Sequence, residues 1–167
     1  MDKINFGNTY NSFYSSVVDI FEKTVSECGN QIAARYKDNA MTYKQLNAKA
    51  NAIAELVAYY THEKNPVVGI MIDRSLNSLI TMIGIIKAGA VFLPLDGKQP
   101  EERVKYILKN SGAEILIKAS NNDIVVVPEN GDYITLNINF KLLPDANNIE
   151  INIGADSLAS VSDCVGN

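Results

Sequence analysis

The chain has no tryptophan, one histidine and two cysteines in 167 residues, and each scarcity narrows its chemistry. Cys28 and Cys164 stand far apart with no CxxC pair, which excludes a disulfide scaffold or zinc knuckle and suits a reducing compartment. The single histidine, His62, follows a helical pattern beside Glu63, Lys64 and Asn65. It reads as a solvated loop residue, and no Ser/His/Asp or Cys/His constellation can be assembled around it. The ten glycines form neither GxGxxG nor GxxxxGK[ST], so neither of those phosphate-cradling loops is present. Basic excess is also missing. Fifteen Lys and Arg against nineteen Asp and Glu give −4, which leaves no electrostatic footprint for nucleic acid. The most apolar stretch, Leu79 to Leu95, carries Lys87, Gly84, Gly89 and Pro94 and falls short of the roughly 20 apolar residues of a membrane span. A buried helix followed by a buried strand accounts for it better. Met1 to Asn8 lacks the basic-then-apolar order of a signal peptide, so the expectation is a soluble, cytoplasmic protein.

What remains is an ordinary globular composition, 47% apolar and 20% charged, with a length that fits one domain. Charge divides the chain unevenly. Met1 to Lys118 holds fourteen basic and twelve acidic residues, whereas Ala119 to Asn167 holds one and seven, with nine asparagines. Three regions follow: an N-terminal arm over 1–15, an α/β core over 16–118, and an acidic, Asn-rich continuation over 119–167. The last is expected to lay strands and loops on the outside of the core, or to be partly disordered, and to end in a frayed tail.

Within the core, helix and strand patterns alternate. Val17, Ile20, Phe21, Thr24 and Val25 share one face of a helix over Val17 to Cys28, which Gly29 should close. Ile32 to Lys37 and Ala40 to Tyr43 flank Asp38-Asn39, a pair suited to a tight hairpin turn. Thr42-Tyr43-Lys44-Gln45 is a capping box, and the helix it opens runs to about Tyr60 with Leu46, Ala50, Ile53 and Val57 on its core face. Val67 to Ile72 reads as a strand buried on both faces. Ser75 caps a helix over Leu76 to Lys87 that Gly89 closes, and Ala90 to Leu95 is a second buried strand. Pro100 at the first helical position, with Glu101 and Glu102 behind it, starts a helix to Asn110; Gly112 ends it and Glu114 to Lys118 returns as a strand. Strand–helix–strand repeated with short links predicts an α/β fold, a parallel-rich sheet with flanking helices.

Few residues in this pattern suggest chemistry. Glu101 and Glu102 are adjacent carboxylates, but at a helix N-terminus they complement the macrodipole rather than form a catalytic pair. Cys28 ends a helix and reads as structural. Tyr59-Tyr60 and the other aromatics fall at helix ends and strands as core or rim residues. No catalytic, cofactor-binding or metal-ligating residue is assigned.

Two longer stretches carry a resemblance. Met41-Thr42-Tyr43-Lys44-Gln45-Leu46-Asn47-Ala48-Lys49-Ala50-Asn51 is similar to Leu-Thr-Tyr-x-Glu-Leu-Asn-x-x-Ala-Asn, the first core motif of the amino-acid adenylation domains of nonribosomal peptide synthetases. Lys87-Ala88-Gly89-Ala90-Val91-Phe92-Leu93-Pro94-Leu95-Asp96 resembles their second, Lys-Ala-Gly-x-Ala-Tyr-Val-Pro-Leu-Asp. Asp73-Arg74-Ser75 and the run from Pro100-Glu101-Glu102-Arg103 to Gly112 continue the match, so it covers about Ser16 to Lys118 in family order. Asp96-Gly97-Lys98-Gln99-Pro100 departs from the usual Asp-Pro-x-Tyr-Pro. The resemblance implies the N-terminal subdomain of an AMP-forming ligase fold, in which these two motifs are structural: Thr42 caps, Leu46 and Ala50 pack, and Ala88-Gly89 permits close helix–strand approach.

It also implies what the family's chemistry needs from elsewhere. ATP and Mg²⁺ serve the complete family domain, held by a Thr/Ser/Gly-rich loop, a ribose-binding aspartate and a lysine that follow later in family order. The segment Leu158-Ala159-Ser160-Val161-Ser162-Asp163-Cys164-Val165-Gly166-Asn167 matches the approach to that loop at four of ten positions, with Cys164-Val165 where the family has Thr-Ser. It is either the start of that loop or an unrelated tail. No cofactor is therefore expected on this chain alone. Two functions stay open at this point. One is a truncated adenylation domain active only with a complementing synthetase chain. The other is a non-catalytic docking module for a synthetase, a carrier protein or an MbtH-like protein, with Pro100, Glu101 and Arg103 as the partner surface; missing neighbours would also favour self-association.

Overall fold

A computed structural model describes residues 16–61, 63–120, 125–129 and 133–148. The arm over 1–15, His62, Cys164 and the segment Leu158 to Asn167 lie outside them. Helix α1 (Val17–Cys28) leads into a hairpin of β1 (Ile32–Tyr36) and β2 (Asn39–Thr42), which hands the chain to α2 (Tyr43–Tyr60). Then come β3 (Val67–Ile72), α3 (Leu76–Lys87), β4 (Val91–Asp96), α4 (Glu101–Ser111), β5 (Ala113–Ala119), β6 (Val125–Glu129) and β7 (Tyr133–Ile138). The hairpin stands apart as a two-stranded sheet, and the other strands form one sheet in the order β4-β3-β5-β7-β6. Pairing is parallel from β4 through β3 and β5 to β7, and antiparallel only between β7 and β6.

Both faces of this sheet are covered, which is why β3, β4 and β5 read as continuous apolar runs. On one face α2 and α3 lay Leu46, Ile53, Val57, Ile80 and Ile85 against Val68, Ile70, Ile115, Ile117, Leu136 and Ile138. On the other, α4 lays Val104, Ile107 and Leu108 against Leu93, Leu95, Ala113 and Leu116. Each fully buried Leu or Ile of this kind contributes about 1.5–3 kcal/mol by leaving water. The helix–strand alternation and the parallel sheet are as the sequence pattern predicts.

Local details differ from that reading, each for a physical reason. The hairpin turns on Lys37-Asp38, because Tyr36 pairs with Asn39, and Lys37 supplies the positive φ of 54°. Gly29 closes α1 as expected, but at a helical φ of −51° rather than in the left-handed region. Gly112 does close α4 that way, at φ 66°. Pro100 sits one residue before α4 as its N-cap, and its carbonyl accepts from Arg103 N at 3.0 Å and Val104 N at 3.1 Å. The largest difference concerns the acidic continuation. β7 is not laid outside the core but paired beside β5, and Leu136, Ile138 and Leu143 are among the most deeply buried side chains. Alternating Ile134, Leu136 and Ile138 fit the pleat despite the polar residues around them.

Candidate functional site

The first motif builds the start of α2. Thr42 Oγ1 accepts from Gln45 N at 3.2 Å and Gln45 Oε1 accepts from Thr42 N at 2.9 Å, the reciprocal capping box. One turn on, Asn47 and Asn51 stand four residues apart on one side of the helix, beside the buried Leu46 and Ala50.

The second motif begins at the end of α3 with Lys87, whose side chain is 1% exposed. A buried ammonium needs acceptors on every side. Glu22 of α1 supplies the counter-charge. Asn47 Oδ1 accepts at 3.1 Å and Asn148 Oδ1 at 3.5 Å, and the Phe21 ring lies 5.8 Å from the ammonium. Asn148 Oδ1 also accepts from Asn47 Nδ2 at 2.8 Å and Asn51 Nδ2 at 2.9 Å. Asn51 Nδ2 reaches Ala146 O at 3.0 Å, and Ala146 N donates to Ala48 O at 3.2 Å. Lys49 Nζ donates to Leu143 O and lies 3.1 Å from Asp145. The segment after β7, residues 139–148, is thereby clasped onto α2 by a run of polar contacts. Gly89 follows with φ 70°, and five residues earlier Gly84 lies close against Ala50 and Ile53 of α2.

The linker after β3 is a smaller polar knot. Asp73 Oδ1 accepts from Ser75 Oγ and from Ser78 Oγ at 2.7 Å, while Ser75 Oγ caps Ser78 N at 3.4 Å. Ser75 and Asn77 line an open groove of about 540 Å³ at the carboxyl ends of the strands, with Lys37, Lys49 and Lys141 around it. Among the described residues no three His, Cys, Asp or Glu side chains gather where they could together hold a metal ion. No described helix is long and apolar enough to cross a membrane.

The residues predicted as a partner surface are brought together at the start of α4. Pro100 and Glu101 are exposed and Arg103 is half-buried, with its guanidinium 5.3 Å from the ring of Tyr106. Lys105 lies 2.9 Å from Glu101 and 3.9 Å from Glu102. Its hydrogen bond and charge hold the Glu101 carboxyl below the usual range, and Glu101 raises Lys105 in return. At the altered segment before it, the Asp96 carboxylate accepts from Lys98 N at 2.9 Å, an Asx turn where the family pattern has a proline. Cys28 is half-buried. The clasp around Lys87 is what motif matching leaves unread. Its signal in the sequence is the lone charge inside the Leu79 to Leu95 run, which must find partners when buried.

A parallel-rich sheet with helices on both faces, a capping box at the start of α2 and a buried lysine at the end of α3 make up an α/β subdomain. The chain matches the AMP-binding enzyme family over residues 21–156. It is 35% identical over 147 residues to a component of the mycosubtilin synthase of Bacillus subtilis, covering 87% of this chain and 6% of that one. It is 33% identical over 132 residues to gramicidin S synthase 2 of Brevibacillus brevis, covering 79% and 3%. The N-terminal subdomain of Klebsiella oxytoca NpsA in complex with 3-hydroxybenzoyl-AMSN superposes with a TM-score of 0.69 at 25% identity, over 88% of this chain and 37% of that one. NpsA-ThdA, an artificially fused adenylation–PCP di-domain from the same organism, matches with a TM-score of 0.68 at 27% identity, over 87% and 28%. The chain belongs to the AMP-binding enzyme family. It is related to the adenylation domains of nonribosomal peptide synthetases and spans a small fraction of the synthetases it matches.

Proposed function

We propose that these residues form the leading part of an amino-acid adenylation domain, working in the cytosol and only together with the residues that carry the phosphate loop. The observation that carries this reading is the match to peptide synthetases across both motifs and their linkers, 35% identity over 87% of the chain. The chemistry explains the dependence on a second part. An amino-acid carboxylate attacks the α-phosphorus of ATP, pyrophosphate leaves, and an acyl–phosphate anhydride forms. Negative charge accumulates on both reacting partners, so backbone amides, a divalent cation and a lysine must neutralise it. Bound Mg²⁺ would supply part of that neutralisation. The residues here contribute the scaffold: the sheet, the α2–α3 pair and the clasped segment after β7. The activated acid would then pass to a carrier protein as a thioester, in keeping with the adenylation–PCP pairing of NpsA-ThdA.

ATP–pyrophosphate exchange tests this. The purified chain alone should show none with any of the proteinogenic amino acids. Adding a second chain that begins at the Thr/Ser/Gly-rich loop should restore exchange for at least one of them. Robust exchange by the chain alone, or none after a stable complex has formed, would overturn the reading.

A further inference from the structure

The clasp has an asymmetry that the adenylation reading does not require. Helix α1 buries none of its residues; Val17 is 65% exposed and Ile20 50%. Its apolar foothold is Phe21, half-buried against the α2–α3 core and 6.4 Å from the Tyr43 ring. Glu22 adds a polar hold on Lys87, and at the end of the helix Gly29 O accepts from Lys44 N at 2.9 Å. The far end of the segment 139–148 rests on the same ammonium through Asn148. These two segments lie more than a hundred residues apart in the chain, and one buried charge serves both.

We propose that Lys87 couples them, so that α1 and the end of that segment, residues 144–148, dock and release as a single strap while the sheet beneath, with Leu143 buried against it, stays folded. The physical ground is the cost of a buried, partly satisfied cation. With Glu22 gone, the ammonium loses its counter-charge and draws water, which competes for Asn148. With the Asn148 carbonyl gone, Asn47 and Asn51 lose their shared acceptor, and Asn47 is itself an acceptor of the ammonium. Each segment therefore docks better when the other is in place, and the effect must be reciprocal. The strands and the α2–α3 pair, together with Leu143, are held by apolar contacts instead.

Hydrogen–deuterium exchange on the full chain reads this directly. Asn148→Ala should speed exchange in residues 17–28, remote in sequence, on the order of tenfold. Glu22→Gln should do the same to residues 145–148, and amides of β3, β4 and β5 should hold their protection in both variants. Lys87→Met, which keeps most of the stem and removes the charge, should abolish the effect of Asn148→Ala on α1. Unchanged exchange of α1 in Asn148→Ala would overturn the coupling. So would a loss of protection spread evenly over the sheet, which marks plain destabilisation. The Glu22 and Asn148 variants decide the matter even if Lys87→Met fails to fold.

Discussion

Gly84 lies so close to Ile53 that a Cβ built on it would stand 2.5 Å from the Ile53 Cβ, with the Ala50 carbonyl oxygen 2.6 Å away. Neither of these neighbours can rotate aside, being a branch point and a backbone oxygen. Gly84→Ala should therefore push α3 off α2. Overpacking of this kind costs about 1–3 kcal/mol, against about 1 kcal/mol regained in helix propensity. A net loss of stability is expected in urea unfolding, with the m-value kept. A variant as stable as the parent would show that the two helices separate freely.

The capping box gives a second prediction. Thr42→Ala removes the acceptor for Gln45 N and leaves the first turn of α2 with one more orphan donor. The cost should be about 1 kcal/mol, or a fall in Tm of roughly 2–4 °C for a chain of this size. Thr42→Ser should restore most of it. Equal melting of Thr42→Ala and the parent by circular dichroism would contradict the capping role.

The pair at the start of α4 sets a pH dependence. Glu101 is held below the ordinary glutamate range by Lys105, so it contributes stability above that range and loses it as pH falls through its own lowered value. Lys105, raised by Glu101, contributes below the ordinary lysine range and loses that as pH rises through its own higher value. Both groups face water, so the stability effect is small and the titration itself is the better readout. Carbon-detected NMR should find Glu101 titrating below the ordinary glutamate range, and Lys105→Gln should bring it back. A Glu101 titration unmoved by Lys105→Gln would remove the pair.

Much of the fold is legible in the residues because local signals agree with the tertiary answer. Thr42, Ser75 and Gly112 mark helix ends by chemistry that acts within a few residues, and α2, α3, β3 and β4 fall within a residue of their expected bounds. The part that is not legible depends on distance. Ile134, Leu136 and Ile138 are three apolar residues in an Asn-rich stretch, and only pairing with β5 reveals them as core. The clasp is hidden for the same reason: Lys87 meets Glu22 and Asn148, 65 and 61 residues away. A motif records that a lysine belongs at its position, but not which acceptors surround it. The start of α4 is legible as an exposed helix end; whether a partner uses it depends on a surface no single sequence encodes.

The strand order also fixes when the sheet can close during synthesis. β5 emerges with β3 on one side and nothing on the other, and its second neighbour is made only after β6 has been passed. Until Leu136, Ile138 and Leu143 leave the ribosome, Ile115 and Ile117 border an open seam. A nascent chain paused in that interval carries a bare strand edge, the kind of surface on which chaperones and stray partners act.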